Sequence, residues 1–394
     1  MARERKTTDG EEKKGGAATR QERLNALVTD LRGRYPNRIF TGEDYTMPWA
    51  IRRLPFGIPD LDIATNGGAP GGGFTMIVGK PSEGKNYLVN RVVRGQQKLY
   101  GADCAVAMIG TELVYDKSQG RAAGVKVALS TDEIDAVNDR YQRLYKRDLT
   151  KDEIADLKTQ IGTFLIVPPT TAEEAFDVAV ELVASGEFNV VALDSFGSIL
   201  TEDDDDKDFT ENARVGGPSG LNTRLMRKMN SAFAPLKGGK PNLTCFMGIN
   251  QVRDKMNAKP NEKQTQEGGG WSLKHGRFLT IELARTEYIR NEATKQKIAK
   301  RIAWEITKQK AGGYEGHTGS YVYVMGNCEI DMGELLLRLG QEYGLIEKSG
   351  NTYTYCGMKL GVGEKNAAAT IVKHDLADEI NEAILVAAKV TLVT

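Results

Sequence analysis

The stretch that decides the fold is Gly79-Lys80-Pro81-Ser82-Glu83-Gly84-Lys85-Asn86-Tyr87, which follows a strand candidate, Thr75–Gly79, and precedes a helix candidate. Its spacing, G-x-x-x-x-G-K, is typical of a phosphate-binding loop, in which backbone N–H groups and the positive end of a helix dipole face phosphate oxygens. We expect the Lys85 ammonium to reach the β- and γ-phosphates of a bound nucleotide. An ordinary glycine-rich turn between strand and helix is the less favoured alternative.

The residue after Lys85 is unusual for such a loop. A Ser or Thr normally stands there, and its hydroxyl ligates Mg²⁺, whereas this chain has Asn86. An amide oxygen also ligates Mg²⁺ but reaches further, so we expect a site for ATP and Mg²⁺ in which hydrolysis is weakened or arranged differently. Val190–Asp194 is an apolar strand candidate that ends in an acid, and Asp194 is expected to hold the same metal ion, directly or through water.

Two more polar residues stand at the ends of strand candidates. Glu112 follows Ala105–Gly110, where a carboxylate can orient an attacking water molecule. Gln251 follows Thr244–Asn250 and directly precedes a long loop, so its amide is expected to touch the γ-phosphate and to transmit its presence to that loop. The alternative for each residue is a solvated side chain at a strand end.

Strand and helix candidates alternate from about residue 55 to residue 325. Strands that are apolar throughout, joined by helices, indicate a mostly parallel sheet with helices on both faces. One of these helices is expected to begin at Thr171, with Glu174 three residues on, and to end at Gly186. Phe278–Ala284 and Arg301–Thr307 are expected to add antiparallel strands at one edge. A further strand candidate is Phe164–Val167.

The chain divides into three predicted regions. Residues 1–54 comprise a disordered tail and a short helix whose apolar face must dock on the main domain or on another subunit. That face consists of Leu24, Leu27, Val28 and Leu31. Residues 55–326 form the core, interrupted by long loops at about 201–220 and 253–270, and loops of such length are usually functional or disordered. Residues 327–394 form a small α+β domain with a hairpin at Ser349–Asn351 and a final helix from about Asp375.

Composition limits the possible partners. With 53 basic and 53 acidic residues the formal net charge is zero, so any binding of nucleic acid must come from local patches. The four cysteines form no CxxC pair and are expected to be buried thiols in a reducing compartment rather than disulfides or zinc ligands. Without an apolar run of about 18 residues or a signal peptide, the chain is expected to be cytoplasmic and without a membrane partner.

These motifs, taken together, resemble the bacterial RecA recombinase family, including its phage-borne relatives, from about Leu54 to Ala388. The resemblance is carried by Gly57–Ala64, the phosphate loop, Thr111-Glu112, Leu193–Ser195, Ile249–Arg253, Gly269-Gly270 before Leu273-Lys274, Thr307–Lys310 and Gly333–Leu335. Two C-terminal runs, Gly344–Gly350 and Gly357–Gly363, are especially specific. Helicases and clock ATPases share the core motifs but not these runs.

The resemblance implies an α/β fold with a RecA-type P-loop core, an N-terminal helix and a small C-terminal α+β domain. It also implies a DNA-dependent ATPase that forms helical filaments on single-stranded DNA and exchanges strands with duplex DNA. By position, Glu112 would be the catalytic carboxylate, Gln251 the γ-phosphate sensor, and Asp116 a neighbour of the adenine. Lys308 and Lys310 would enter the ATP site of the neighbouring subunit, as an arginine finger does.

The same resemblance places DNA on the two long loops. The implied contact residues are Arg224, Arg227, Arg253, Lys255, Lys259, Lys263, Gly269 and Gly270. The C-terminal domain would gather duplex DNA through Lys359 and Lys365, and the N-terminal helix would pack on the next subunit of the filament.

The chain departs from the family at several positions besides Asn86. Gln119 and Met332 stand where tyrosines often lie beside the nucleotide, and His275 and Gly276 replace aromatic residues at the subunit interface. Two other functions therefore stay open. An ATP-binding filament or mediator protein with poor hydrolysis would agree with Asn86. A RecA-core helicase is disfavoured by the C-terminal runs.

Overall fold

The computed structural model describes residues 19–111, 115–196, 217–254, 265–267, 270–326 and 328–390. The chain forms two compact units, one comprising Met1–Tyr45 with Lys237–Lys240 and the other Thr46–Leu236 with Pro241–Thr394. The predicted disordered tail, up to residue 18, lies outside the described residues.

In the smaller unit, helix α1 (Arg20–Arg34) begins with a reciprocal cap. The Glu22 N–H donates to Thr19 Oγ1 (3.3 Å), and Glu22 Oε2 accepts from the Thr19 N–H (2.7 Å). On the predicted apolar face, Leu24 is 44% exposed and Leu27 50%. Docking of this face on another subunit stays a prediction.

The strands of the larger unit belong to one large sheet and two small ones. In chain order, the described strands are β1 (Arg53–Leu54), β2 (Ala69–Pro70), β3 (Phe74–Gly79), β4 (Ala105–Gly110), β5 (Thr163–Val167), β6 (Val190–Asp194), β7 (Cys245–Asp254), β8 (Thr265–Glu267), β9 (Leu279–Arg290), β10 (Lys297–Gln309), β11 (Thr318–Val324), β12 (Glu329–Ile330), β13 (Ile346–Ser349), β14 (Thr352–Tyr355) and β15 (Met358–Val362). The order in the large sheet is β12-β11-β10-β9-β3-β7-β6-β4-β5, with β8 beside β7. From β9 to β5 all neighbours on this path are parallel.

Helices cover both faces of the large sheet. The described helices of this unit are α2 (Pro48–Ile51), α3 (Pro59–Ala64), α4 (Lys85–Tyr100), α5 (Lys117–Ala122), α6 (Thr131–Tyr145), α7 (Lys151–Lys158), α8 (Ala172–Ser185), α9 (Gly217–Ala232), α10 (Gly270–Gly276), α11 (Met332–Glu342), α12 (Glu364–Lys373) and α13 (Ala377–Ala387). Side chains alternate along β3, so Ile77 packs with α4 while Met76 and Val78 pack with α8, α9 and α10. The predicted two-sided α/β core is confirmed.

One strand direction differs from the prediction. β9 was expected to be antiparallel, but it pairs in parallel with β3, Thr75 lying opposite Leu279, and the antiparallel part of the sheet begins at β10. The reason is the connection. α10 lies between β7 and β9, and a helical crossover returns the chain in the same direction, whereas the tight turn after Arg290 reverses it.

Two helices between β4 and β5 were missed from the sequence. α6 and α7 pack on a small core of Leu129, Ile134 and Leu149. Each begins with a full capping box, Ser130 with Glu133 and Thr150 with Glu153. These S/T-x-x-E patterns were the sequence signal that would have predicted both helices.

The C-terminal segment packs on the same core. β13 and β14 form the expected hairpin, with Ser349 opposite Thr352, and the last described helix is α13. Leu336 of α11 and Ile384 of α13 belong to one buried cluster with Leu61 of α3. A domain boundary at residue 327 stays a prediction. Across the described residues, helices of the length and apolarity needed to span a bilayer are absent.

Asp62 in α3 is a buried acid, 3% exposed, inside the first motif of the resemblance. Its Oδ1 accepts from the Phe56 N–H (2.7 Å) and its Oδ2 from the Ile58 N–H (3.2 Å). Burial nevertheless raises the pKa of this carboxyl to about 7, against the opposing effects of these hydrogen bonds and of Arg91. Below about pH 7 the folded protein therefore binds a proton at Asp62, whereas the unfolded chain binds it only near the ordinary, lower pKa of an aspartate.

The consequence is a stability difference that depends on pH. A carboxyl whose folded pKa lies above its unfolded value stabilises the fold at low pH and loses that contribution as pH rises through the folded pKa. When the pH is lowered from 8 to 5, we expect the free energy of unfolding of the wild type to rise by about 2–3 kcal/mol relative to that of Asp62→Asn. Urea unfolding of both proteins at each pH measures this difference, and a constant difference would contradict a titrating Asp62.

Candidate nucleotide-binding site

The phosphate loop lies where the sequence places it, between the end of β3 and the start of α4. Gly84 caps α4 with φ +89°, in the left-handed region that glycine tolerates best. The buried Glu83 braces the loop from inside, because its Oε2 accepts from the Lys80 N–H (2.6 Å) and its Oε1 from the Arg285 N–H (3.3 Å). The loop is thus held in shape by its own acid and by β9.

Lys85 is buried at the first position of α4, 7% exposed. Its ammonium donates to the carbonyl oxygens of Gly79 (3.0 Å) and Lys80 (2.8 Å), at the start of the loop. Both acceptors are neutral, so a phosphate oxygen would be the stronger partner for this cation. The predicted phosphate-binding lysine is therefore already inside its loop.

Asn86 and Asp194 meet directly. Asn86 Nδ2 donates to Asp194 Oδ2 at 2.6 Å, which joins the first turn of α4 to the end of β6. A Ser or Thr hydroxyl at this position would use one oxygen both to donate and to ligate Mg²⁺, whereas the amide of Asn86 divides these tasks between nitrogen and oxygen. Its oxygen stays available as a ligand. The substitution therefore preserves the contact with the acid.

The pair fits a magnesium site of the kind found beside phosphates. Mg²⁺ is usually held by one or two protein oxygens, with phosphates and waters completing the octahedron. Asp194 and Asn86 supply two such oxygens. In the described part of the chain, no three His, Cys, Asp or Glu side chains lie together as a self-sufficient metal site.

A cavity of about 310 Å³ opens beside the loop. It is lined by Pro81, Ser82, Gly84, Lys85, Asn86, Tyr87, Gln119, Asp194, Gln251, Lys300 and Tyr323. A second cavity of about 200 Å³ shares Asn86, Gln119 and Asp194 with it and also includes Asp116. Asp116 caps α5, its Oδ1 accepting from the Gln119 N–H (3.1 Å). Five predicted residues, Lys85, Asn86, Asp116, Asp194 and Gln251, are thereby brought to one place.

Glu112 lies outside the described residues, and its catalytic role stays a prediction. The residue before it is fixed to the site, because Thr111 Oγ1 donates to the carbonyl oxygens of Asp194 (3.0 Å) and Ser195 (2.9 Å). Tyr115, the next described residue, donates its hydroxyl to Asn90 Oδ1 of α4 (2.9 Å). Of the two residues that stand where the family often has tyrosines, Gln119 lines both cavities, while Met332 begins α11 and packs against the core.

A buried polar chain leads away from Gln251 and was missed from the sequence. Asn250 is 1% exposed, and its Nδ2 donates to Glu267 Oε1 at 2.8 Å. Glu267 also pairs with Arg277, itself 1% exposed, whose Nη1 donates to Oε2 at 2.9 Å and whose Nη2 donates to Oε1. Glu267 and Arg277 lie on either side of α10. The hydrogen bond from Asn250 therefore ties the base of the second predicted loop to the strand that carries Gln251, and the ion pair ties it to Arg277.

The comparisons with known proteins agree with the fold. Models of the RecA N-terminal domain and the RecA C-terminal domain match residues 147–321 and 333–389. The chain belongs to the RecA family. It is 26% identical to Protein RecA of Saccharopolyspora erythraea over 337 residues, 85% of this chain and 83% of that protein. Protein RecA of Aquifex aeolicus is 27% identical over 341 residues, 86% and 84% of the two chains. It is also 27% identical to Protein RecA of Frankia alni over 345 residues, which is 87% of this chain and 85% of that protein.

Lys308 and Lys310, which were predicted to enter a neighbouring subunit's ATP site, have partners within this chain. Lys310 Nζ donates to the carbonyl oxygen of His275 (2.6 Å), and Lys308 Nζ donates to those of Lys274 and His275. These carbonyls belong to the last turn of α10, whose negative dipole end favours cations. In the isolated subunit the two lysines therefore cap α10, and their role across a subunit boundary stays a prediction.

The helices that follow the two predicted DNA loops pack together. Thr223 Oγ1 of α9 donates to Ser272 Oγ of α10 (2.9 Å), and Leu273 is buried with Leu225 and Met226. Arg224 and Arg227 lie exposed on α9, and Gly270 is the first residue of α10. Arg253 lies in β7, while Lys255, Lys259, Lys263 and Gly269 are outside the described residues, as are residues 201–216 of the first loop.

Removal of the buried arginine tests the ion pair at the base of the loop. Arg277→Met leaves Glu267 without its cation in a site where both side chains are largely buried, so we expect a loss of about 3 kcal/mol or more in unfolding free energy. Arg301→Met is the control, because Arg301 pairs with Glu287 and Glu334 at a partly exposed site. We expect that variant to lose about 1 kcal/mol or less. If chemical denaturation gave equal losses for Arg277→Met and Arg301→Met, the burial of the Arg277–Glu267 pair would make no extra contribution to the free energy of unfolding.

Proposed function

We propose that this member of the RecA family is an ATP-dependent DNA strand-exchange recombinase that works as a helical filament on single-stranded DNA. ATP and Mg²⁺ would be its cofactors, and single-stranded and duplex DNA its partners. The observation that carries the proposal is the position of Gln251, which lines the cavity beside Lys85 and lies on the strand that leads into the second predicted DNA loop. One strand thus joins a nucleotide site to a candidate DNA-binding segment.

The contacts of Lys85, Asn86 and Asp194 support the roles that we propose at the nucleotide site. Lys85 would exchange its carbonyl acceptors for the β- and γ-phosphates, and Asn86 would keep Asp194 oriented by its donated hydrogen bond. Mg²⁺, when bound, would neutralise phosphate charge during transfer. Glu112 would orient the attacking water. The RecA N-terminal match begins at residue 147, after the phosphate loop. The assignment of residues 79–87 is therefore supported by their own geometry and not by this match.

DNA binding would be local, because the chain carries 53 basic and 53 acidic residues. The packing of α9 on α10 supports a single DNA surface made from both predicted loops. Arg224, Arg227, Arg253, Lys255, Lys259, Lys263, Gly269 and Gly270 are the proposed contact residues. Contacts of this kind are made mainly to phosphates and weaken with rising salt.

The two other functions are less well supported. A mediator protein with poor hydrolysis rested on Asn86, yet this side chain reaches Asp194 at 2.6 Å and retains an oxygen for Mg²⁺. A RecA-core helicase would not need the RecA C-terminal domain that matches residues 333–389. Both observations favour the recombinase.

The cysteines support a reducing compartment, and we propose the cytoplasm. All four cysteines are free, and Cys104 and Cys245 are buried as expected. The expectation was wrong for the other two, because Cys328 is half-buried and Cys356 is exposed. Burial raises the pKa of the Cys104 thiol to about 11 and that of Cys245 to about 12. Such thiols stay protonated and unreactive at neutral pH.

Three assays on one preparation test the function. We expect ATP hydrolysis that single-stranded DNA stimulates, strand exchange between homologous substrates, and no unwinding of a forked duplex. Lys85→Ala should lose hydrolysis, because a positive charge leaves the β/γ-phosphate site. Hydrolysis that DNA leaves unchanged would favour the mediator, and ATP-driven unwinding without strand exchange would favour the helicase.

A mixing experiment tests the two lysines on β10. Lys85→Ala and the double variant Lys308→Ala/Lys310→Ala should each be inactive alone. If Lys308 and Lys310 complete the site of a neighbour, mixed filaments contain contacts that pair an intact loop with intact lysines, and DNA-stimulated hydrolysis returns. Filaments shown to be mixed that stay inactive would restrict these lysines to capping α10 in their own subunit.

A further inference from the structure

The lining of the nucleotide cavity contains a cation from outside the phosphate loop that no motif predicts. Lys300 of β10 and Tyr323 of β11 are direct partners in the antiparallel ladder, so both side chains stand on the same face of the sheet. Lys300 Nζ lies 5.0 Å from the centre of the Tyr323 ring. Tyr323 in turn packs edge-on against Tyr87 of α4, with ring centres 5.0 Å apart. Lys300 is therefore held at the cavity by a well-packed aromatic pair.

The ammonium of Lys300 already touches the phosphate loop. Its Nζ donates to the carbonyl oxygen of Ser82 at 2.5 Å, in the middle of the loop, where Ser82 adopts φ +63°. Lys85 donates to the carbonyls at the start of the same loop. Two lysines from the same chain, one on the helix and one on the sheet, therefore converge on one cavity.

We propose that Lys300 is a second phosphate-binding lysine of the nucleotide site, supplied by the same subunit as the loop. This inference rests on the proposed nucleotide-binding function. Its ligand is the polyphosphate of a nucleoside di- or triphosphate, which would replace the Ser82 carbonyl as the acceptor. A phosphate oxygen is charged and the carbonyl is not, so the exchange strengthens the hydrogen bond. Tyr323 holds the Lys300 stem in place during the exchange.

The surroundings of Lys300 support this role. The side chain is half-buried, and burial, with the nearby Arg285, lowers its pKa against the opposing effect of Glu83, because a charge here is poorly solvated. An anion that enters the cavity would remove this penalty. The alternative is a purely structural lysine that fastens the loop to β10, which would affect stability but not the affinity for nucleotides.

The test compares three substitutions of Lys300 with a control on the same strand. Lys300→Met keeps an unbranched apolar stem against Tyr323 and removes the charge, Lys300→Arg keeps the charge, and Lys300→Ala removes both. Lys297→Ala is the matched control, since the Lys297 ammonium lies 3.9 Å from the centre of the Tyr288 ring and that lysine is not part of the cavity lining. Affinity for fluorescent ADP and ATP is measured with Mg²⁺ and without DNA, at low and at high salt.

We expect Lys300→Met to weaken binding of both nucleotides about tenfold or more at low salt, and Lys300→Arg to bind within about threefold of the wild type. The difference in affinity between Lys300→Met and the wild type should shrink at high salt. Screening weakens the contact between lysine and phosphate in the wild type, and the variant has no such contact to lose. Lys297→Ala should bind as the wild type does. Thermal unfolding without nucleotide shows that each variant is folded, and Lys300→Met provides the comparison should Lys300→Ala fail to fold.

Two outcomes would overturn the inference while the proposed function stands. One is wild-type affinity in Lys300→Met when Lys85→Ala no longer binds. The other is a loss in Lys300→Met that neither arginine nor salt alters, which would identify a structural brace. A wild-type protein that binds no nucleotide at all would instead refute the proposed function, and this inference with it.

Discussion

The parallel pairing of β3 with β7 is the constraint on which the rest of the site depends. Gly79, the last residue of β3, lies opposite Gln251 in this ladder, and Asp194 at the end of β6 lies opposite Ile249 of β7. The carboxyl ends of these parallel strands thus bring together the first residue of the phosphate loop, the Asp194 carboxylate and the Gln251 amide. A Cβ on Gly79 would come within 2.9 Å of the Leu283 carbonyl oxygen and 3.0 Å of Glu83 Oε2, so the spacing of the strands requires glycine there.

Lysines held by backbone carbonyls are the second recurring element. Lys85 and Lys300 donate to carbonyls of the phosphate loop, and Lys308 and Lys310 donate to those at the end of α10. A carbonyl fixes the position of an ammonium without neutralising it, unlike a carboxylate partner. A chain with no net charge can therefore present concentrated positive charge at chosen places.

The sequence predicted those parts of the fold and site that depend on local pattern. Apolar strands, the Thr171 cap and the G-x-x-x-x-G-K spacing are short-range signals, and the strands that carry Asp194 and Gln251 were found from them. The direction of β9 was wrong because it depends on whether a helix or a turn precedes the strand. Lys300, Tyr323 and the Arg277–Glu267 pair were missed because only the register of the antiparallel strands and the closure of a long loop bring them to the site. No spacing along the chain encodes that proximity.

If the proposed filament and DNA contacts form, the contacts of α10 would connect a neighbouring subunit to the two predicted DNA loops. Glu267 and Arg277 pair across its two ends, Lys308 and Lys310 cap its last turn, and its Ser272 and Leu273 pack on α9. If the lysines move to the phosphates of a neighbour, as proposed, α10 loses its cap while the buried ion pair still holds its base. Because Arg277 directly follows the C-terminus of α10, the ion pair would keep that end attached, and the helix would shift rather than detach. Because α9 follows the first predicted DNA loop and α10 the second, such a change would reach both loops at once, which is what coupling between filament assembly and DNA binding requires.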